Sequence, residues 1–379
     1  MSRDLIPPAE QQGRLAAVRA LARAVGAEAV LLDQAEVLAW ATGFTVSATM
    51  YRAAVIPCEG APFWVLRNLD RDPCLAQGWI AEAQGFDDDA DPQAEVAAAL
   101  TAHGLDHAVL LVDPDSHGHT VQVRRRLEAL LPGTRFVERA GLSDWLRRCK
   151  SETEIGLLRE AALIGDAAME AVRRACRPGV TAGEAAAEAA AEFLRRGADT
   201  GEAGPILRAD GDMGFLHGLR DRTPLAEGDV LHVELTPKRA LYGARVMRPI
   251  LVGADRHDIA GRTARLAALQ DRQIAAMRPG AEAREVDALL RNAVLAEGLR
   301  PAYGNVSGYT LGIYGRTPRP SDFSFALHPG AQFRLEERMV FHLYVSAGGT
   351  AISETVVVRP HGGERLSGLP RRALQGGNA

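Results

Sequence analysis

His217, Glu234, Arg245, Arg248 and Glu354 are the side chains of this sequence best suited to moving protons and holding charge. An imidazole whose ordinary pKa is about 6.5 accepts and returns a proton at neutral pH, so His217 is the candidate acid–base group. Glu234 sits inside the apolar run His232-Val-Glu-Leu235, where a carboxylate needs a reason to be buried. It can bind a cationic amidine or guanidine, attack its electrophilic carbon, or close an internal ion pair with Arg245 or Arg248. Those arginines alternate with apolar residues, share a strand face only in part because three positions separate them, and can each grip a substrate carboxylate. Glu354, in Ser353-Glu354-Thr355, is either the second wall of a cation site with Glu234 or a strand-end carboxylate facing water. Arg316, on a loop, is a further carboxylate-binding candidate. Tyr309 and Tyr344 carry phenols able to donate to an oxyanion, or are plain core residues. His232 and His342 alternate with apolar neighbours and read as core or supporting groups. His117 and His119, in Ser116-His-Gly-His-Thr120, read as a surface loop. Cys58, Cys74, Cys149 and Cys176 show no CxxC spacing and read as reduced thiols, neither a disulfide framework nor a nucleophile.

The elements that must position these groups follow from periodicity and turn residues. In the first part, Gln12–Val25, Val121–Leu131 and Leu142–Cys149 have helical spacing. Ala29–Leu32, Arg52–Ile56, Phe63–Leu66 and Ala108–Val112 are short apolar runs between turns, hence buried strands. Ser151-Glu-Thr-Glu154 has the form of a capping box and opens a long amphipathic helix that Arg177-Pro-Gly179 stops after about Cys176. Thr181–Arg196 is a second helix, followed by strand-like runs near Ile206, at Val230–Leu235 and at Ala240–Val252. The plan then repeats: helices Ile259–Met277, ended by Arg278-Pro-Gly280, and Glu285–Glu297, then strands Tyr309–Tyr314, Met339–Ser346 and Ala351–Val358. The two Arg-Pro-Gly junctions mark an internal pseudo-symmetry.

A chain of 379 residues exceeds one ordinary core, so two domains are expected: an α/β domain over residues 1–149 and an α+β domain over 150–362, with 363–379 a frayed tail. The net charge of −4, without a run of Lys or Arg, argues against nucleic acid. No apolar stretch approaches a membrane span, and Met-Ser-Arg-Asp-Leu-Ile-Pro-Pro lacks a signal-peptide pattern, so a cytoplasmic location is expected.

His217, spaced ahead of Gly228-Asp-Val230 and of Val-Glu-Leu at 233–235, resembles the methionine aminopeptidase/aminopeptidase P/creatinase superfamily. Further landmarks fall in the same order over nearly the whole chain: Lys150-Ser-Glu, the Arg-Pro-Gly-Val-Thr-Ala-Gly-Glu junction, Gly308-Tyr-Thr-Leu-Gly312 and Arg338-Met-Val-Phe-His-Leu-Tyr344. The resemblance implies a pita-bread catalytic domain behind a smaller creatinase-type α/β domain. In that superfamily two aspartates, one histidine and two glutamates bind two metal ions. Glu234 and Arg245 stand at the aspartate positions, Tyr309 at the histidine, and Tyr344 and Ser353 at the glutamates. A set with one carboxylate and a fixed guanidinium cannot offset two divalent ions, so no metal and no cofactor are expected.

What remains resembles the metal-independent branch that includes creatinase and the ectoine hydrolases, and the likeness to ectoine hydrolases implies that the glutamate in the Val-Glu-Leu context, Glu234, is a nucleophile. Met50-Tyr51-Arg52 is the nearest, offset counterpart of the creatinase aromatic–arginine element, and Tyr314-Gly-Arg-Thr-Pro replaces the Tyr-Pro-Pro of the ectoine hydrolase relatives. The resulting expectation is a hydrolase of a non-peptide C–N bond in a small zwitterionic amidine, guanidine or amide. His217, Glu234 and Glu354 do the chemistry, while Arg245, Arg248, Tyr309, Tyr344, Arg316 and Arg52 hold the substrate. The resemblance also implies a homodimer whose partner N-terminal domain caps each site, with Tyr51 and Arg52 as candidates for the cap. Other readings are an Xaa-Pro dipeptidase-like metalloenzyme with aberrant ligands, a catalytically inactive binding protein, and a lyase.

Overall fold

The computed structural model describes residues 3–44, 50–209, 216, 218, 222–313 and 324–377. The described residues divide into two compact units, one of those up to Arg148 together with Ile313 and the other of those from Cys149 to Gly312 and from Ser324 onward. In the first, α1 (Pro8–Ala24), β1 (Ala29–Leu32), α2 (Ala35–Thr42), β2 (Ala53–Pro57), β3 (Phe63–Arg67) and α3 (Asn68–Gln77) are followed by β4 (Glu82–Phe86), α4 (Pro92–Ala102), β5 (Val109–Val112), α5 (Val121–Leu130), β6 (Arg135–Glu138) and α6 (Leu142–Arg147). The strands form one sheet in the order β4-β3-β2-β1-β5-β6. β1, β5 and β6 run parallel, and β2 is antiparallel to β1 and β3. The central strands are buried on both faces, which explains their unbroken apolar runs. Leu31, Val55, Val65, Leu110 and Leu127 share the core.

Several elements of this unit left no periodic signal. α2 is buried at seven of its eight positions and so has no polar stripe. α3 contains Pro73 and buries only Cys74. β4 and β6 are the sheet edges, and their mixed, mostly half-buried residues do not alternate.

The second unit contains α7 (Glu152–Ala175), α8 (Ala182–Arg195), β7 (Ile206–Arg208), β8 (Val230–Leu235), β9 (Lys238–Arg239), β10 (Tyr242–Gly243) and β11 (Val246–Leu251). It continues with α9 (Ile259–Ala276), α10 (Ala283–Ala296), β12 (Gly308–Thr310), β13 (Ala326–Leu327), β14 (Val340–Ala347), β15 (Thr350–Arg359), β16 (Gly362–Arg365) and β17 (Leu374–Gln375). The capping box at α7 forms as expected. Ser151 Oγ accepts from the Glu154 N–H at 3.1 Å, and the Glu154 carboxylate accepts from the Ser151 N–H at 2.8 Å. The pseudo-symmetry reappears as matched turns: Gly179 and Gly280, each closing an Arg-Pro-Gly, have φ of 87° and 85°, a region glycine enters without steric cost. Ile164, Met169 and Val172 of α7 pack with Phe193, Val233 and Ile250, pinning the helix layer to the sheet. Among the described residues no helix is long and apolar enough to cross a membrane.

The main sheet runs β13-β12-β14-β15-β11-β8-β7, with β16 added to β15 and β17 to β11. The last two strands correct the expectation of a frayed tail for residues 363–377. Arg248 is fully buried and holds that segment, donating to the Pro370 carbonyl at 2.8 Å, while Arg371 reaches back to Glu354 at 2.9 Å.

Candidate active site

Strand register decides which candidates meet. Directly opposed residues of an antiparallel pair project from the same sheet face, and successive residues alternate between faces. Glu234 opposes Met247, Met247 opposes Ser353, and Ser353 opposes Tyr344. Arg245, two residues before Met247, belongs to the same face, as does His342, two before Tyr344. His342 opposes Tyr309 on one side and Thr355 on the other. One face therefore gathers Glu234, Arg245, Ser353, Thr355, Tyr344, His342 and Tyr309.

The contacts agree with that parity. Arg245 Nη1 lies 3.4 Å from Glu234 Oε1, longer than the ~2.7–2.9 Å of a tight charge-assisted bond, so the pair is loose. The Arg245 guanidinium also lies 5.5 Å from the Tyr309 ring centroid. Its backbone is clamped by Thr355, whose Oγ1 accepts from the Arg245 N–H at 2.8 Å and donates to the Arg245 carbonyl at 2.9 Å. Tyr309 meets Tyr344 and His342 edge-on, at 6.1 and 5.1 Å between centroids, and His342 stacks on Tyr344 at 5.4 Å. Burial, reinforced by the Glu234 charge, raises the Tyr344 phenol above its ordinary pKa, and a side-chain hydrogen bond from Asn305 partly offsets the rise. Burial, reinforced by Arg245, holds His342 well below the usual imidazole range. Around Glu234 the face thus holds the Arg245 guanidinium, the Tyr309 phenol, the Tyr344 phenol kept protonated by burial and the neutral His342 imidazole. Neither His342 nitrogen and not the Ser353 hydroxyl has a hydrogen-bond partner among the described residues. His232 is buried on the same face, two residues before Glu234.

Two of the sequence assignments fail on parity. Glu354 follows Ser353 and projects from the opposite face, so it is not a second wall for a cation beside Glu234. Nor does it face water: it is fully buried, with Oε1 2.6 Å from Arg248 Nη2 and 2.9 Å from Arg371 Nη1. Arg248 opposes Val233 rather than Glu234 and is spent on Glu354 and on the Met247, Ser353 and Pro370 carbonyls. It is therefore no grip for a substrate carboxylate. The ion pair anticipated for Glu234 forms with Arg245, an odd number of positions from Arg248. His217 and Arg316 lie outside the described residues.

Arg52 lies in the first unit, buried, with Nε lacking a hydrogen-bond partner among the described residues. Burial lowers its pKa, against the pull of Asp33 and other acidic neighbours. In the same unit the surface-loop reading holds for the exposed His117 but not for His119. His119 is buried with Nδ1 3.0 Å from Asp33 Oδ2, while the Ser116 hydroxyl donates to Asp33 Oδ1 at 2.5 Å. The four cysteines are free thiols, and burial pushes Cys74 and Cys176 up to about 12, which suits inert thiols rather than nucleophiles. Thr355 and Asn305 escaped the sequence reading. Thr355 adjoins an assigned residue, but nothing local distinguishes Asn305, which reaches Tyr344 only through the fold.

Residues 14–149 match the creatinase/prolidase N-terminal domain, and residues 156–360 match the model of metallopeptidase family M24. The chain belongs to metallopeptidase family M24. An ectoine hydrolase of Halomonas elongata is 23% identical over 386 residues, covering 96% of this chain and 96% of the relative. Xaa-Pro dipeptidase from Bacillus anthracis has a TM-score of 0.82 at 21% identity over 96% of this chain and 99% of that one. Dipeptidase PepE from Mycobacterium ulcerans has a TM-score of 0.80 at 22% identity over 100% of both chains. The fold is thus a creatinase-type α/β domain followed by a pita-bread domain, and the chain is an M24 hydrolase.

Membership in M24 raises the question of a metal. Among the described residues no group of three or more His, Cys, Asp or Glu side chains is arranged to hold one. The counter-charge beside Glu234 is a guanidinium, which is protonated at any working pH, and phenols flank it in place of further anionic donors. This donor set does not fit a divalent ion.

Proposed function

We propose that this chain hydrolyses a non-peptide C–N bond in a small zwitterionic amidine, guanidine or amide, without a metal ion. The observation that carries the reading is the loose Glu234–Arg245 pair, on one face with Tyr309 and Tyr344. A substrate carboxylate can exchange into the 3.4 Å contact and take the Arg245 fork, leaving Glu234 to face the electrophilic carbon. One Glu234 oxygen bonds to that carbon, the C–N bond breaks, and the amine departs with a proton from His217, which is assigned from its place in the sequence. Water then cleaves the acyl–glutamate bond, returning the carboxylate and restoring the proton to His217. Tyr344, kept protonated by burial, donates to the oxygen or nitrogen on which charge develops. The likeness to an ectoine hydrolase over almost the full length of both chains supports this substrate class. A dipeptidase reading draws on the fold shared with Xaa-Pro dipeptidase, but leaves the Arg245 guanidinium without a role.

The test is amine release from ectoine, creatine and N-acyl diamino acids, with Xaa-Pro dipeptides in parallel, by wild type and Glu234→Gln. Turnover of a non-peptide substrate that Glu234→Gln abolishes is the expected result. Turnover of the dipeptides alone would overturn the proposal.

A further inference from the structure

We infer that the pita-bread domain carries a second ligand pocket, at the opposite end of β8 from Glu234 and built for a small amphiphilic carboxylate. A cavity of about 460 Å³ opens where β8 begins, the β14–β15 hairpin turns and α9 starts. Its size falls in the roughly 300–1,000 Å³ range of small-molecule sites. Val230 lines it four residues before Glu234 on the same strand, about 13 Å away at ~3.3 Å per residue.

The lining is divided in a way that specifies the ligand. Val230 and Ile259 are buried, pack with Leu251 and form an apolar floor. Arg262 and His257 stand on the rim. Arg262 spends one N–H on the Gly348 carbonyl, at 2.7 Å, and makes no ion pair among the described residues. The acidic residue of the lining, Asp229, is already engaged: its Oδ2 accepts from the Ala226 N–H at 2.8 Å and lies 3.7 Å from Arg208. Among the described lining residues Arg262 is thus the cation with N–H groups left to donate.

Glycine makes the arrangement possible. Gly348 and Gly349 form the two-residue hairpin turn between the paired Ala347 and Thr350, with φ of 48° and 75°, the mirror-image conformation that fits strand twist. A Cβ on Gly348 would lie 3.2 Å from the Arg262 guanidinium carbon, so a side chain there would crowd the arginine. The remaining Arg262 N–H groups suit a carboxylate, and the floor suits a compact apolar body. A purely polar anion would leave the floor unused.

Because binding needs no turnover, the inference stands or falls apart from the hydrolase reading. The experiment is titration calorimetry of the full chain with benzoate, its uncharged isostere benzamide, and inorganic phosphate. Benzoate should bind at least tenfold tighter than either of the other two. Arg262→Gln should weaken benzoate at least tenfold, whereas Arg245→Gln, which removes the other guanidinium able to take a carboxylate, should leave it unchanged. If Arg262→Gln does not fold, Arg262→Lys is measured instead and should weaken benzoate several-fold, since it keeps the charge but not the fork. No benzoate binding, equal binding of phosphate, or full affinity in the Arg262 variant overturns the pocket. Loss of binding in Arg245→Gln also overturns it, by placing the ligand beside Glu234.

Discussion

Replacing Glu354 by alanine separates a structural carboxylate from a chemical one. The substitution strands Arg248, which is fully buried, and removes the anion 2.9 Å from Arg371. Breaking one side of a buried ion pair costs about 3–5 kcal/mol, because the remaining charge has lost its counter-ion in a poorly solvated place. For a unit of this size each kcal/mol moves Tm by about 2–4 °C, so calorimetry should show a fall of about 6–20 °C. Removing both charges together, with Arg248→Met and Glu354→Leu, should recover much of the loss, since Arg248 is then no longer stranded and Arg371 keeps Asp271 at 3.1 Å. Turnover per folded molecule should survive in Glu354→Ala below its lowered Tm. An unchanged Tm together with abolished turnover would refute the reasoning and return Glu354 to the reaction.

Other consequences are simpler to state. His342 is held below the unfolded imidazole pKa, so its contribution to stability is complete above about pH 6.5 and is lost as pH falls below it, at about 1.4 kcal/mol per pH unit. His342→Phe should keep the stack on Tyr344 yet remove that slope, measured by urea unfolding between pH 4 and 7. Tyr344→Phe should lower kcat by about 10²–10³-fold if the phenol donates to developing charge, with Tm nearly unchanged. Ser151→Ala removes the α7 cap and should cost about 1 kcal/mol. Truncation after Ser367 takes away β17 and the carbonyls that hold Arg248, and should destabilise the chain without altering kcat per folded molecule.

The sequence carried the architecture better than the site. Long amphipathic helices and capping boxes such as Ser151-x-x-Glu154 announce themselves because the signal is local, and the α7 and α8 spans formed within a residue or two of expectation. The almost wholly buried α2 and the half-buried edge strands β4 and β6 carry no period to read. At the site, Glu234 and Arg245 meet as charge alone suggested. Glu354 and Arg248 were misplaced because their faces follow from strand register, which fixes parity only once the pairing of β11 with β8 and β15 is known. The frayed-tail reading failed for a similar reason: Gly- and Arg-rich composition says nothing of a buried arginine far upstream waiting for those carbonyls.

The claim that most of the account rests on is that Arg245, Tyr309 and Tyr344 have taken over the space of a metal cluster beside Glu234. Metal content and turnover of a non-peptide C–N substrate, measured on one sample before and after exhaustive chelation, test it directly. The prediction is full activity at negligible metal content, with no gain on adding Mn²⁺ or Zn²⁺. Activity that disappears with the metal and returns with it would contradict the account.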